Sequence, residues 1–289
     1  MNRNRIGIFD SGLGGLTVLS EVARLLSAER TIYLGDTARV PYGIKSSDTV
    51  IRYALEDAAF LQSHKVKLIV IACNTASANA EEVLKKVLDV PVVGVIEPGA
   101  RAAVAATRTG RIGIIGTTAT IRSGAYTRAI TEVNPEAKTF TSACPLFVPL
   151  AEEGWSTGEI TEKIAEKYLE SLQEADIDTL VLGCTHYPLL KETIASVMGP
   201  DVTLIDSATA TANEVARVLK EEGLENIPDN SNDTPDTNDA ASSNGDNGDT
   251  HEFHVTDSPE SFVTVGARFL SGRGVHLHRA SLAHLESKA

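Results

Sequence analysis

Two short apolar runs recur, in the same order, within this chain. Arg5-Ile-Gly-Ile-Phe-Asp-Ser11 returns as Arg111-Ile-Gly-Ile-Ile-Gly-Thr117, and Leu68-Ile-Val-Ile-Ala-Cys73-Asn-Thr75 returns as Thr179-Leu-Val-Leu-Gly-Cys184-Thr-His186. The two matches are displaced by nearly the same length. Each cysteine is followed by a helix-like stretch and then by another strand-like run, at 92–96 and 203–205. Such a chain is expected to fold as two similar halves. The surrounding pattern says of what kind. β-Rich runs at 6–9, 31–34, 68–72, 92–96, 112–115, 179–182 and 203–205 alternate with helical stretches at 16–26, 47–63, 76–88, 98–107, 124–133, 157–174, 188–198 and 208–222. Strands alternating with helices of about ten residues or more predict βαβ units and parallel sheets. The strand runs are nearly continuous in apolar residues, as expected where helices cover both faces of a sheet. The predicted fold class is therefore α/β, with two pseudo-symmetric halves and mostly parallel sheets.

One stretch breaks the pattern. Between Glu225 and Asp257 there are nine acidic residues and no Lys or Arg. Its middle offers too little apolar surface to offset the conformational entropy of ordering, so residues 225–251 are expected to form a disordered acidic loop. Most of the formal net charge of −13 sits there and says little about the rest of the chain. The fold resumes in a strand at 252–255 and a helix at 258–270. Residues 273–289, with His276, His278 and His284, read as an exposed tail or terminal helix. The acidic balance argues against a nucleic-acid partner, which needs a basic face. No apolar run approaches the roughly 18 residues of a membrane span. The start, MNRNRIGIFD, enters a strand directly without a signal-peptide core, so a cytoplasmic location is expected. Three cysteines in 289 residues do not make a disulfide scaffold and read as free thiols.

Cys73 and Cys184 close their strands at the C-terminal end, where open α/β sheets bind ligands. Each closely precedes a helix, with Asn74 or Thr75 suited to cap the first and Pro188 to the first turn of the second. A helix N-terminus is expected to lower a thiol pKa. Cys144 has no symmetric counterpart and reads as structural. Asp10-Ser11-Gly-Leu-Gly-Gly15 leads from the first strand into a helix, but it lacks both the dinucleotide fingerprint and a Walker lysine. Pro41-Tyr42-Gly43 and the run from Thr117 to Thr120 supply further backbone N–H groups and hydroxyls suited to a small anion such as a carboxylate. Asp10 and His186 lie one near each thiol, and Glu152 and Glu153 precede a glycine turn. Two thiols placed quasi-symmetrically suit removal of a proton from one face of a carbon and delivery to the other. No metal motif or cofactor lysine is evident. A thiol redox pair and a two-lobed solute-binding protein remain as other readings.

In family order, the motifs are Asp10-Ser-Gly-Leu-Gly-Gly15, Tyr33-Leu-Gly-Asp-Thr-Ala-Arg-Val-Pro-Tyr42-Gly43, Ala72-Cys-Asn-Thr-Ala-Ser77, Gly94-Val-Ile-Glu-Pro-Gly99, Cys144-Pro-Leu-Phe-Val-Pro-Leu-Ala-Glu152-Glu153-Gly154 and Gly183-Cys-Thr-His-Tyr-Pro188. On these the chain resembles the glutamate racemases of the aspartate/glutamate racemase superfamily, over 5–222 and 252–271. The resemblance implies cofactor-independent interconversion of L- and D-glutamate, supplying D-glutamate for peptidoglycan. It makes Cys73 and Cys184 the acid/base pair, with Asp10, His186 and Glu152 (or its neighbour Glu153) in support. It puts Asp10, Ser11, Pro41, Tyr42, Gly43, Asn74, Thr75, Thr185 and His186 around the substrate, and Thr117 and Thr120 on its side-chain carboxylate. It also implies a cleft between two domains, 1–97 with 207–289 and 98–206, and a homodimer in some arrangement.

Overall fold

The computed structural model describes residues 4–226, 250–270, 275–277 and 279–285. In chain order the strands are β1 (Ile6–Asp10), β2 (Thr31–Gly35), β3 (Leu68–Ile71), β4 (Val92–Gly94), β5 (Arg111–Gly116), β6 (Lys138–Ala143), β7 (Thr179–Gly183), β8 (Thr203–Asp206), β9 (His251–Val255) and β10 (Ser281–Leu282). The α-helices are α1 (Leu16–Leu25), α2 (Ser47–Ser63), α3 (Asn74–Val87), α4 (Ile96–Ala106), α5 (Thr118–Ser123), α6 (Ala125–Val133), α7 (Phe147–Glu153), α8 (Glu159–Glu174), α9 (Lys191–Met198), α10 (Ser207–Glu221) and α11 (Pro259–Leu270).

Two sheets result, ordered β10-β9-β2-β1-β3-β4 and β6-β5-β7-β8. Every pairing is parallel. The order β6-β5-β7-β8 reproduces β2-β1-β3-β4, so the repeat read in the sequence is a repeat of topology: β5 stands for β1 and β7 for β3. Helices bury both faces of each sheet. Val18, Leu19, Val70 and Val215 belong to the core on one face of the first sheet, and Phe9, Leu61, Ile69 and Ala80 to the core on the other. Leu180 and Phe147, then Val181 and Tyr126, do the same for the second.

Three expectations need correction. Strand β6 is a strand that the sequence pattern does not announce. It is an edge strand whose residues are exposed or half-exposed, so Lys138-Thr-Phe-Thr-Ser-Ala143 lacks the continuous apolar run of a buried parallel strand. Its counterpart β2 is fully buried because β9 and β10 extend the sheet beyond it. Second, the described residues of the C-terminal region do not form an exposed tail. Ser281 and Leu282 pair with His254 and Val255, and Val275, Leu277 and Ala283 are buried. Third, the helix expected from 188 begins as a 3-10 turn at Tyr187–Leu190, and the α-helix starts only at Lys191. The expected acidic loop at 225–251 and His278 fall largely or wholly outside the described residues. No helix among the described residues is long and apolar enough to cross a membrane.

Candidate active site

In each sheet the chain winds one way from the first central strand and the other way from the second. β1 and β3 are neighbours and lead to opposite sides, as are β5 and β7. Such reversal points leave a crevice at the strands' C-terminal ends. The residues that follow these four strands are Ser11, Cys73, Thr117 with Thr118, and Cys184 with Thr185 and His186, and all of them line one cavity of about 110 Å³. Pro41, Tyr42, Gly43, Asn74 and Thr75 line it too, with Val40, Ile44, Val148 and Pro149 supplying apolar wall. Glycine keeps the loops close: a Cβ on Gly14 would stand 2.1 Å from the Thr185 hydroxyl and 2.8 Å from His186 Nδ1.

Both thiols are buried, at 5% and 7% exposure. Cys73 sits at the N-cap of α3, and its thiol points at Ser11 Oγ 3.6 Å away. Here the structure reverses an expectation. The start of the helix does pull the thiol down, through the Ala76 N–H, as does Ser11. Burial pushes it up, the charge of Asp10 adds to that, and the result is a pKa of about 12. The Cys73 thiol is therefore protonated in the resting protein. Cys184 stands 3.8 Å from His186 Nδ1, and His186 Nε2 stands 2.9 Å from Glu152 Oε1. Burial opposes the imidazolium of His186, yet hydrogen bonds to Cys184 and Glu152 outweigh it and raise its pKa to about 10.

That shift has a consequence for stability. An unfolded histidine titrates near 6.5, so the stabilisation from protonated His186 is fully present below about pH 6.5 and is lost as pH rises through about 10. The unfolding midpoint followed by circular dichroism is expected to fall between about pH 7 and pH 10, and less steeply in Glu152→Gln. Equal slopes would remove Glu152 as a partner, beside Cys184, that holds His186 charged.

Two buried polar atoms near the cavity have no hydrogen-bond partner among the described residues: Asp10 Oδ1, an acceptor, and Asn74 Nδ2, a donor. Asp10 is held by the Gly12 N–H on its other oxygen, at 3.1 Å, and burial raises its pKa against the opposing charge of His186. Asn74 is fixed through its carbonyl by the Tyr126 hydroxyl at 2.7 Å. Orphaned buried polar groups cost free energy unless something pairs with them. Asn74 lines the cavity, where its donor can meet an acceptor such as a carboxylate oxygen, whereas Asp10 stands one layer behind.

The family model described as Asp/Glu/Hydantoin racemase matches residues 6–215. The chain belongs to that family. This racemase is 53% identical over 278 residues to a glutamate racemase of Geobacter metallireducens, covering 96% of each chain. Among solved structures it superimposes on a glutamate racemase of Francisella tularensis in complex with D-glutamate, with a TM-score of 0.86 at 36% identity over 99% of this chain and 100% of that one. A glutamate racemase isoform of Bacillus anthracis gives a TM-score of 0.85 at 37% identity, covering 99% and 98%.

Three expected site residues of the racemase lie outside the cavity lining. Asp10 sits behind Ser11, only 1% exposed. Thr120 was expected to contact a carboxylate, but it is buried. Its hydroxyl bonds those of Thr75 and Thr117, at 3.2 and 3.0 Å, so it supports Thr117 from behind. Glu152 reaches the site only through His186. Cys144, 0% exposed, lies in the core, its thiol pointing to the Ser142 carbonyl 3.7 Å away. The group that holds Tyr42 has no signal in the sequence. Its hydroxyl lies between the carboxylates of Asp36 and Asp57, 2.9 Å from the latter, and Arg39 bridges Asp36, Glu56 and Asp57. The motif from Tyr33 to Gly43 contains Asp36 and Arg39, but their closure onto α2 is a tertiary contact with no local signature. Tyr126, reaching Asn74 from the other half of the chain, is invisible for the same reason.

Proposed function

We propose that this racemase interconverts L- and D-glutamate without a cofactor, by proton transfer between Cys73 and Cys184. The single observation that carries the reading is the equivalence of the two thiols. Each follows the second central strand of its sheet, and both line the same small cavity. A carbon bound between them has one sulfur on each face. One thiolate removes the α-proton as the opposite thiol gives its own, and the pair ends with its charge exchanged. No further acid or base is needed in either direction.

The carbanion is the costly species, and preorganised donors offset it. Asn74, Thr75, Thr185 and the backbone around Tyr42 and Gly43 suit the α-carboxylate, Ser11 the reacting end, and Thr117 the side-chain carboxylate with Thr120 behind it. Asp10 suits the ammonium group, and this pairing bears on the thiol. The Asp10 charge helps hold Cys73 protonated, so an ammonium beside Asp10 offsets it and eases formation of the thiolate in the presence of substrate. On the other side His186 stands against Cys184 and is itself held by Glu152. We assign residues 1–97 and 207–289 to one domain and 98–206 to the other, with the cleft between them. The names of the relatives support glutamate as substrate, and we place the reaction in the cytoplasm, supplying D-glutamate for the cell wall.

Solvent exchange tests the reading. In deuterated water, each enantiomer of glutamate is expected to lose its α-proton signal by NMR as the optical rotation decays to zero. Tight binding without exchange would mean a solute-binding protein, and faster exchange of aspartate than glutamate would move the substrate to the shorter acid.

A further inference from the structure

On β9, next to the edge strand β10 of the first sheet, Glu252 and His254 converge with His64 from the end of α2. Glu252 and His254 are two residues apart on the strand, so their side chains emerge on the same face. Helix α2 ends against that face with His64 as its C-cap residue. One donor atom from each of the three lies within 4.8 Å of the others. His254 is buried, Glu252 half-buried and His64 exposed, so the cluster runs from the interior to solvent.

The rings are held in place. Phe60, one turn before His64 on α2, lies 4.6 Å from the His64 ring and 5.2 Å from that of His254, and the two imidazoles are 5.2 Å apart. His64 is anchored through Nδ1, 3.0 Å from the Phe60 carbonyl. Outer contacts of this kind orient the imidazoles of metal sites. Glu252 Oε1 stands 2.6 Å from His254 Nε2, and Arg5 stands 3.5 Å from its other oxygen. Two imidazoles and one carboxylate form a donor set suited to zinc and its neighbours. Calcium and magnesium prefer oxygen alone.

We propose that His64, Glu252 and His254 bind one divalent transition-metal ion of the zinc class, with water completing the coordination, and so tie α2 to β9. Tetrahedral ligands at about 2.1 Å from an ion stand roughly 3.4 Å apart, so donors as far as 4.8 Å from one another must approach by up to about 1.4 Å, while Glu252 Oε1 and His254 Nε2, now 2.6 Å apart, must open by about 0.8 Å. The exposed His64 and half-buried Glu252 have the freedom to do so.

Untagged, chelator-treated full-length protein titrated with zinc chloride in a calorimeter tests this. One ion per chain is expected, with binding at least about tenfold weaker in His64→Ala. His64 is exposed, so the variant should fold, and its racemisation rate should match the parent's. Zinc is also expected to raise the unfolding temperature of the parent and not of the variant. Cobalt substitution separates this cluster from the thiols of the active site, because thiolate ligation adds intense near-ultraviolet charge-transfer bands. Undiminished zinc binding in His64→Ala, a cobalt spectrum dominated by thiolate, or no zinc binding by the parent each overturns the proposal.

Discussion

Cys73→Ala and Cys184→Ala should each abolish racemisation in both directions, with a loss of about 10²–10⁴-fold or more, the range supplied by a positioned acid or base. The reason lies in the symmetry of the two-thiol scheme. Each sulfur is the base for one enantiomer and the acid for the other, so neither direction survives the loss of either. Circular dichroism started from pure L- and from pure D-glutamate reads both directions in one instrument. Turnover near the parent's rate by either variant would sink the scheme. Cys144→Ala is the matched control. Its thiol is buried in the core of the second sheet, bonded to the Ser142 carbonyl, and a folded but inactive Cys144→Ala protein would show that this cysteine does more than pack.

The largest effect on stability should come from Lys67→Met. The Lys67 side chain is fully buried and pairs with Glu29, itself 4% exposed, at 2.6 Å. Lys67 also donates to the Leu224 carbonyl and to Asn226, and Glu29 accepts from the Asn226 backbone N–H. Removing one member of a buried ion pair leaves the other charge without compensation, a loss of about 3–5 kcal/mol. Replacing both with apolar residues of similar size removes that charge, so Lys67→Met with Glu29→Leu should recover much of the loss. Urea denaturation of the parent, the single variant and the double variant measures this directly. A single-variant loss below about 1 kcal/mol, as for an exposed pair, would mean that solvent reaches this site.

What the sequence made legible follows from where residues sit. Strands β1, β3, β5 and β7 are the central strands, covered on both faces, and their composition announces it. Their repetition gave the two-sheet topology, and their C-terminal ends gave the thiols. The edge strand β6 has one open side and so no apolar signature. Depth was equally hidden. Nothing local distinguishes Thr117, at the cavity, from Thr120, three residues along and behind it. The sign of the Cys73 shift could not be read either. A helix start is visible in sequence, whereas full burial and the charge of Asp10, more than sixty residues away in the chain, are products of the fold. The His64, Glu252 and His254 cluster is silent in the sequence for a related reason: His64 is far along the chain from the other two, and they meet only through the packing of α2 on β9.

The threading of the chain has a further outcome during synthesis. Strands β5 to β8 form one uninterrupted stretch, so the second sheet has all its strands once residue 206 has emerged. The first sheet begins earlier and finishes later. Until β9 arrives, the outer edge of β2 stands without a neighbour, although β2 in the finished protein is wholly buried. A bare, apolar strand edge is the kind of surface that pairs with the wrong chain. The half of the protein made first is thus the half that waits longest, and a nascent chain stalled between β8 and β9 is the species for which a chaperone matters most.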